Sequence, residues 1–298
     1  LVFLMKKSYN YKKGGQMMKK VINVFLTIIM ACVVVLLVIS LSIRTISTKT
    51  ISNAFFEEEV SNNMKEVLAN TFPDVSSENI DALENVIKDN EAINEVANDL
   101  LNHISDSISS GNKVDSETIL NEISVAIDRN VPVIEEALGK DIPEEQIKEI
   151  QSKLTDENSN LKNQIDQTVD KIENMDSSAK QVIKTYDALD NNITKILCIV
   201  SLAVIIVLLG IINKSFFKWS LFSGISLIVS GAIVGMIVPM IVNVVEVAIG
   251  QRLLGTTIDI AVNSLNMAGI ICAVIGIVLI IVYAILNRRY RTYDRQYY

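Results

Sequence analysis

The chain has 298 residues, half of them apolar, with 27 Lys and Arg against 34 Asp and Glu, and a net charge of −7. A mean hydropathy of +0.36 and a pI near 5.0 argue against nucleic-acid binding and against an ordinary soluble domain, in which hydropathy does not come out positive on balance. Three Cys and one His leave little material for a metal site or a disulfide framework.

At the N-terminus, Lys12-Lys13-Gly14-Gly15-Gln16 precede Met17-Met18-Lys19-Lys20. The first five can read AAA-AAA-GGA-GGT-CAA among their synonymous codons, which contains a bacterial ribosome-binding sequence a few bases before two ATG codons. Residues 1–16 are therefore expected to be translated leader, with synthesis starting at Met17 or Met18 in a bacterium. The alternative is a basic N-terminal arm, and the segment is set aside in assigning the fold.

Four apolar runs, 21–43, 196–212, 217–245 and 265–286, reach the roughly 20 residues that a helix needs to cross a bilayer. None carries Asp, Glu, Lys, Arg or His in its interior. The first run exceeds a signal-peptide apolar region, and no small-x-small cleavage site follows it. Ile29-Met30-Ala31-Cys32 resembles a lipoprotein box, but Val33 to Leu37 continue the apolar run, so an uncleaved anchor is expected. Lys19 and Lys20 precede the first run, and Lys214 and Lys218 lie in the turn 213–216 and its edge. Arg288, Arg289, Arg291 and Arg295 follow the fourth run in the tail 287–298. Basic residues in short loops stay cytoplasmic. Both termini, including residues 1–20, are thus expected in the cytoplasm, with 44–195 and 246–264 outside.

Residues 45–193 hold 31 acidic and 12 basic residues, a net of −19, and enough apolar residues for a core. Periodicity predicts helix throughout. A first helix, with Phe55, Val60, Met64, Val67 and Leu68 on one side, stops before Phe72-Pro73. A second follows Asp74, Ser76 and Ser77, carries Ile80 through Ile108 at helical steps, and ends at Ser109-Ser110-Gly111-Asn112. A third starts after Asp115 or Ser116 and runs to Pro132, with a short turn 133–138 closing at Gly139. A last helix, N-capped by Asp141 with Pro143 early in it, is expected to run about 50 residues into the second span, roughly 75 Å. Its likeliest break is the polar patch 156–160.

Chemistry finds few footholds. His103 is the single histidine, so no Ser-His-Asp or Cys-His arrangement can form, and a half-exposed surface role is expected. Cys32, Cys198 and Cys272 fall within the spans, where small packing residues are the default. Asp156-x-Asn158-x-Asn160 opens like a calcium loop, but the Gly and Glu positions are Leu161 and Gln167. The sequence contains no Walker A, Rossmann fingerprint or HExxH motif. No metal, no cofactor and no enzymatic activity are expected; a membrane-embedded enzyme would have only Asn243 and Glu246, at the rim, to work with. Pro239 is expected to kink the third span.

Small residues four apart let backbones approach closely. Gly231-x-x-x-Gly235, Gly269-x-x-x-Ala273 and Cys272-x-x-x-Gly276 predict tight packing within the chain or between copies, so a homo-oligomer is one expected partner. Lys19, Lys20, Lys214, Lys218, Trp219, Arg288, Arg289 and Arg291 are expected to anchor the spans at the bilayer surface. The plan of one span, a large outer domain and three further spans resembles the four-span ABC permeases of the cell-division and macrolide-exporter type. This likeness of topology implies a separate cytoplasmic ATPase as partner. The residues themselves predict an all-α, multi-pass bacterial plasma-membrane protein with four transmembrane helices. Its acidic extracytoplasmic helical-bundle or coiled-coil-like domain is expected to bind a protein partner, through a surface that is basic or bridged by cations, or to sense the envelope.

Overall fold

The computed structural model describes residues 2–51, 61–74, 76, 91–110, 115–174, 177–213, 217–242, 260 and 262–296, and these residues are helical with short connections and no strand. Two compact units divide the chain. One comprises Leu1–Ile43, Leu189–Ile241 and Val262–Tyr298, the other Arg44–Ala188 with Val242–Ala261.

The second unit is built from α2 (Ser61–Thr71), α3 (Glu91–Ser110), α4 (Ser116–Leu138), α5 (Glu144–Thr155), α6 (Asn160–Glu173) and most of α7 (Ser177–Asp190). Apolar residues three and four apart converge on one core: Leu68 from α2, Val96 and Leu100 from α3, Ile119, Ile123 and Ile127 from α4, Leu154 from α5, and Leu161 and Ile165 from α6. α4 sits centrally and packs on α3, α5 and α6. At roughly 1.5–3 kcal/mol per fully buried aliphatic side chain, this core rather than the surface charge holds the unit together. Phe55, Val60, Ile80, Leu83 and Ile87, expected to join the core, lie outside the described residues.

Local chemistry explains the helix ends. Asp115 caps α4, its carboxylate accepting from the Glu117 amide at 3.1 Å and the Thr118 hydroxyl at 2.7 Å. Gly139 ends the same helix at φ 69°, a left-handed conformation that glycine adopts without strain. The expected stop at Pro132 is a correction, because α4 runs through it to Leu138. Pro132 and Asp128 are both exposed, so the carbonyl that loses its donor lies on the solvated side, while buried Ile134 holds the next turn in the core.

Asp141 is not the cap of the following helix either. Pro143 takes that position at φ −59°, ψ 143°, and α5 starts after it, because the residue before a proline is pushed toward extended backbone. Nor is there a helix of about 50 residues. The chain breaks at the polar patch 156–159, where Asp156 Oδ1 accepts from Asn158 N at 2.8 Å and Ser159 Oγ accepts from Lys162 N at 3.0 Å to cap α6. It breaks again after Glu173 and at Asn191, whose Oδ1 accepts from Ile193 N at 2.8 Å. Asx and Ser side chains offer the backbone an alternative to the helical ladder at each stop.

The first unit contains the apolar part of α1 (Val2–Ile51), α8 (Asn192–Asn213), α9 (Lys218–Ala232, continuing helically to residue 242) and α10 (Asn263–Gln296). Four helices are long and apolar enough to cross a membrane: Met17–Thr50, Asn192–Asn213, Lys218–Val242 and Asn263–Arg288. Met30 of α1 and Ile205 and Leu209 of α8 form a buried cluster, with Trp219 and Phe222 of α9 packed on it. A π-helical turn, Ile233–Ile237, interrupts the third span just before the buried Pro239. Proline offers no N–H there, and the wider turn is the local adjustment.

Two exposed carboxylates give the starts of α4 and α5 a local dependence on pH. The Thr118 hydroxyl, then the Glu117 amide, hold Asp115 below its ordinary 3.8, and the hydrogen bond from Lys148 holds Glu144 below its ordinary 4.5 while raising Lys148. A carboxylate with a lowered folded value stabilises the fold above its unfolded value and loses that contribution as pH falls through the folded one. Protection of the first amides of α4 against hydrogen exchange, taken relative to the intrinsic rate at each pH, is therefore expected to fall as the pH drops below the ordinary 3.8 of Asp115 and on through its folded value. In Asp115→Ala, exchange at the start of α4 should already be fast at neutral pH and should lose this titration.

Candidate functional site

In the second unit, α3 and α4 run antiparallel and leave a cleft of about 200 Å³ between them. Val96, Val125 and Ala126 give it apolar walls, and Glu95, Asp99, Glu122 and Arg129 supply charge. Two bridges join the helices across it. Arg129 pairs with Glu95, and His103 Nε2 lies 2.9 Å from Glu122 Oε1. His103 is 41% exposed, the half-exposed placement expected for it, yet it has a specific carboxylate partner. The second oxygen of Glu122 is buried without a hydrogen-bond partner.

Asp99 lies one turn from Glu95 and one turn from His103 on α3. It is half-buried and has no partner among the described residues. Side chains on a neighbouring face of α3 hold the helix. Arg44 Nε donates to Asn98 Oδ1 at 2.8 Å, and Ser105 donates to Asp187 of α7.

In the first unit, the geometry centres on α9 and α10. A methyl group added at Gly231 would lie 2.5 Å from the Gly269 carbonyl and 2.9 Å from Ala273 N; one at Gly269 would lie 2.6 Å from Gly235 Cα. Gly276 faces Gly224, where an added methyl would sit 2.7 Å from the opposing carbonyl. The structure thus brings Gly231, Gly235, Gly269, Ala273 and Gly276 onto one helix–helix contact. Gly224 belongs to it too, and the sequence signal for it was Ser220-x-x-x-Gly224.

Roughly a third of a turn away on α9 lies a second small-residue face, Ser223, Ser226 and Ser230. Ser230 Oγ donates to the Ala31 carbonyl of α1 at 3.0 Å and approaches the Ser226 carbonyl at 2.8 Å. The Ser223 and Ser226 hydroxyls are buried without partners among the described residues. Asn23 and Asn213 exchange a pair of amide hydrogen bonds, at 2.9 and 3.0 Å, between α1 and α8.

The remaining expected residues scatter. Lys19 and Lys20 are exposed on α1, Lys218 opens α9, and Trp219 packs inward on the Met30 cluster. Arg288 is exposed on α10, and Arg289 and Arg291 lie on its helical backbone. Lys214, Asn243 and Glu246 lie outside the described residues. Cys198 and Cys272 are buried, whereas Cys32 is exposed, so it does not serve as a packing residue within the chain. The Asp156 segment closes on its own backbone as an Asx turn. Among the described residues, no group of three or more His, Cys, Asp or Glu is placed to hold a metal.

Comparison with protein-family models, curated proteins and solved structures finds no match. What the fold defines is an all-helical chain with four candidate membrane-spanning helices and a separate helical unit.

Gly269→Ala is expected to force apart α9 and α10 at a cost of about 1–3 kcal/mol. Gly210→Ala, where nothing lies within 4 Å of an added methyl, is expected to be neutral or slightly stabilising. Thermal unfolding of both variants in detergent measures the contrast. A double-mutant cycle on Asn23→Leu and Asn213→Leu should give a coupling near 0.6 kcal/mol, the typical hydrogen bond between membrane helices.

Proposed function

We propose that this chain is a bacterial plasma-membrane protein with both termini in the cytoplasm and residues 44–195 outside. It acts through protein contact rather than catalysis, its acidic outer unit binding a partner or reporting on the envelope. The observation that carries this reading is the cleft between α3 and α4, set in a segment whose net charge is −19. Such a surface favours a basic partner, because complementary charge steers encounter and penalises wrong partners. Orientation follows from Lys19, Lys20, Lys214, Lys218 and the arginines after the fourth span, all on one side.

The order of one span, an outer segment and three spans favours a second reading, a transport subunit working with a separate cytoplasmic ATPase. A tag after Tyr298, crosslinking in native membranes and mass spectrometry separate the two. The proposal expects crosslinks between residues 44–188 and another envelope protein. A stoichiometric ATPase crosslinked to 213–218 or to the tail would overturn it in favour of the second reading.

Topology has its own test. In a background lacking Cys32, Cys198 and Cys272, Glu157→Cys should react with a membrane-impermeant maleimide on intact cells, and Lys20→Cys only after lysis. The reverse pattern would sink the orientation.

A further inference from the structure

On α3, Glu95, Asp99 and His103 follow one another at intervals of four residues, one above the other on the helix face. Glu95 meets Arg129 and His103 meets Glu122, so the antiparallel register places Asp99 opposite Val125 and Ala126 on α4. The outer two positions of this series are polar bridges between the helices. At the middle one, a half-buried carboxylate shares the cleft with apolar side chains, and Val125 is 45% exposed. A carboxylate beside apolar surface, with the nearby Arg129 engaged by Glu95, loses hydration and gains no ion pair among the described residues in return.

We infer that this cleft receives a lysine or arginine side chain from a basic segment of a protein partner. The cation meets Asp99, and an apolar neighbour on the same segment covers Val125. The inference rests on the proposed partner-binding role of the outer unit and assigns its site. Three features converge on this occupant. Of the three carboxylates at the cleft, Glu95 is engaged by Arg129 and Glu122 by His103, which leaves Asp99 as the one that calls for a cation. Its volume, about 200 Å³, is below the roughly 300–1,000 Å³ of drug-sized ligand pockets and suits a single long side chain. Its apolar wall matches the methylene stem of Lys or Arg, which packs on apolar surface while the charged head seeks a carboxylate.

The arrangement is also pre-organised. Arg44 at Asn98 and Asp187 at Ser105, two turns apart on one face, fasten α3 in place, so the partner does not have to order the helix on binding.

The full-length chain in lipid nanodiscs, panned against a phage-displayed random peptide library, tests the inference. Enriched peptides should pair Lys or Arg with an apolar neighbour. Synthesised, they should bind Asp99→Asn about ten-fold more weakly or worse, and Val125→Ser more weakly too. Glu157→Gln, an equal change of charge on an exposed turn, should leave binding unchanged. Circular dichroism of Asp99→Asn and Val125→Ser should match the parent, since both side chains are at least partly exposed.

Basic peptides that bind all variants alike and respond only to salt would overturn the cleft while sparing the acidic-surface reading. Enrichment without basic residues, or no enrichment, would overturn both. An intermolecular disulfide formed by Val125→Cys would assign the cleft to a second copy of the chain and overturn the basic partner.

Discussion

The contact between α9 and α10 depends on atoms that are missing by design of the sequence. Gly231 against Gly269, and Gly224 against Gly276, let two backbones approach to a distance that any Cβ would forbid. In an apolar surrounding no hydrophobic force draws one helix to another, so close packing and hydrogen bonding must do so. The first unit uses both. Glycines on one face of α9 admit α10, and serines on the adjacent face turn toward α1, with Ser230 reaching the Ala31 carbonyl. The amide pair Asn23–Asn213 ties α1 to α8. The outward sides of these helices are apolar and exposed, as at Leu197, Val207, Ile270 and Ile277.

The second unit solves a different problem. Its segment carries a large negative charge, and self-repulsion opposes compaction. The ion pairs at its surface are of little help, because exposed pairs such as Lys148–Glu144 are screened by solvent and lose side-chain entropy on pairing. The compensating interaction is the core around α4, where Ile119, Leu154, Leu161 and Ile165 are almost completely buried. Acids are accommodated by facing outward or by capping helices, as Asp115 does.

Much of this was legible residue by residue. The four apolar runs were visible as lengths, and the core of the second unit as helical spacing, because both are local properties of the chain. Asp115 and Gly139 announced their helix ends through side-chain and backbone chemistry that acts within a few residues. Pro132 misled because a proline reports only the loss of one donor. It does not report whether a buried side chain such as Ile134 will hold the next turn. The long final element was legible in part: its polar patch 156–160 marked the first break, where Asp156 and Ser159 bond the backbone, whereas no Gly or Pro marks the breaks after Glu173 and at Asn191. The pairs Asn23–Asn213 and His103–Glu122 join residues that no local pattern connects. The glycine positions were legible as a tendency to pack, but their mutual register required the fold.

On the proposed reading, charge and fold stability in the outer unit are linked. A cation delivered to Asp99 adds an attraction inside a unit otherwise dominated by repulsion, so the bound form is favoured both by contact and by relief of that repulsion. Anything that binds the folded state alone stabilises it in proportion to the logarithm of its concentration over its dissociation constant. Salt acts on the same terms with opposite consequences. It screens the repulsion, which steadies the unbound unit, and it screens the attraction, which weakens the complex. A partner that recognised only diffuse negative charge would lose most of its affinity to salt. One seated between α3 and α4 keeps the part that comes from covering Val125, since apolar burial is not screened. The apolar wall beside the carboxylate is therefore what gives this acidic surface a means of choosing among basic partners.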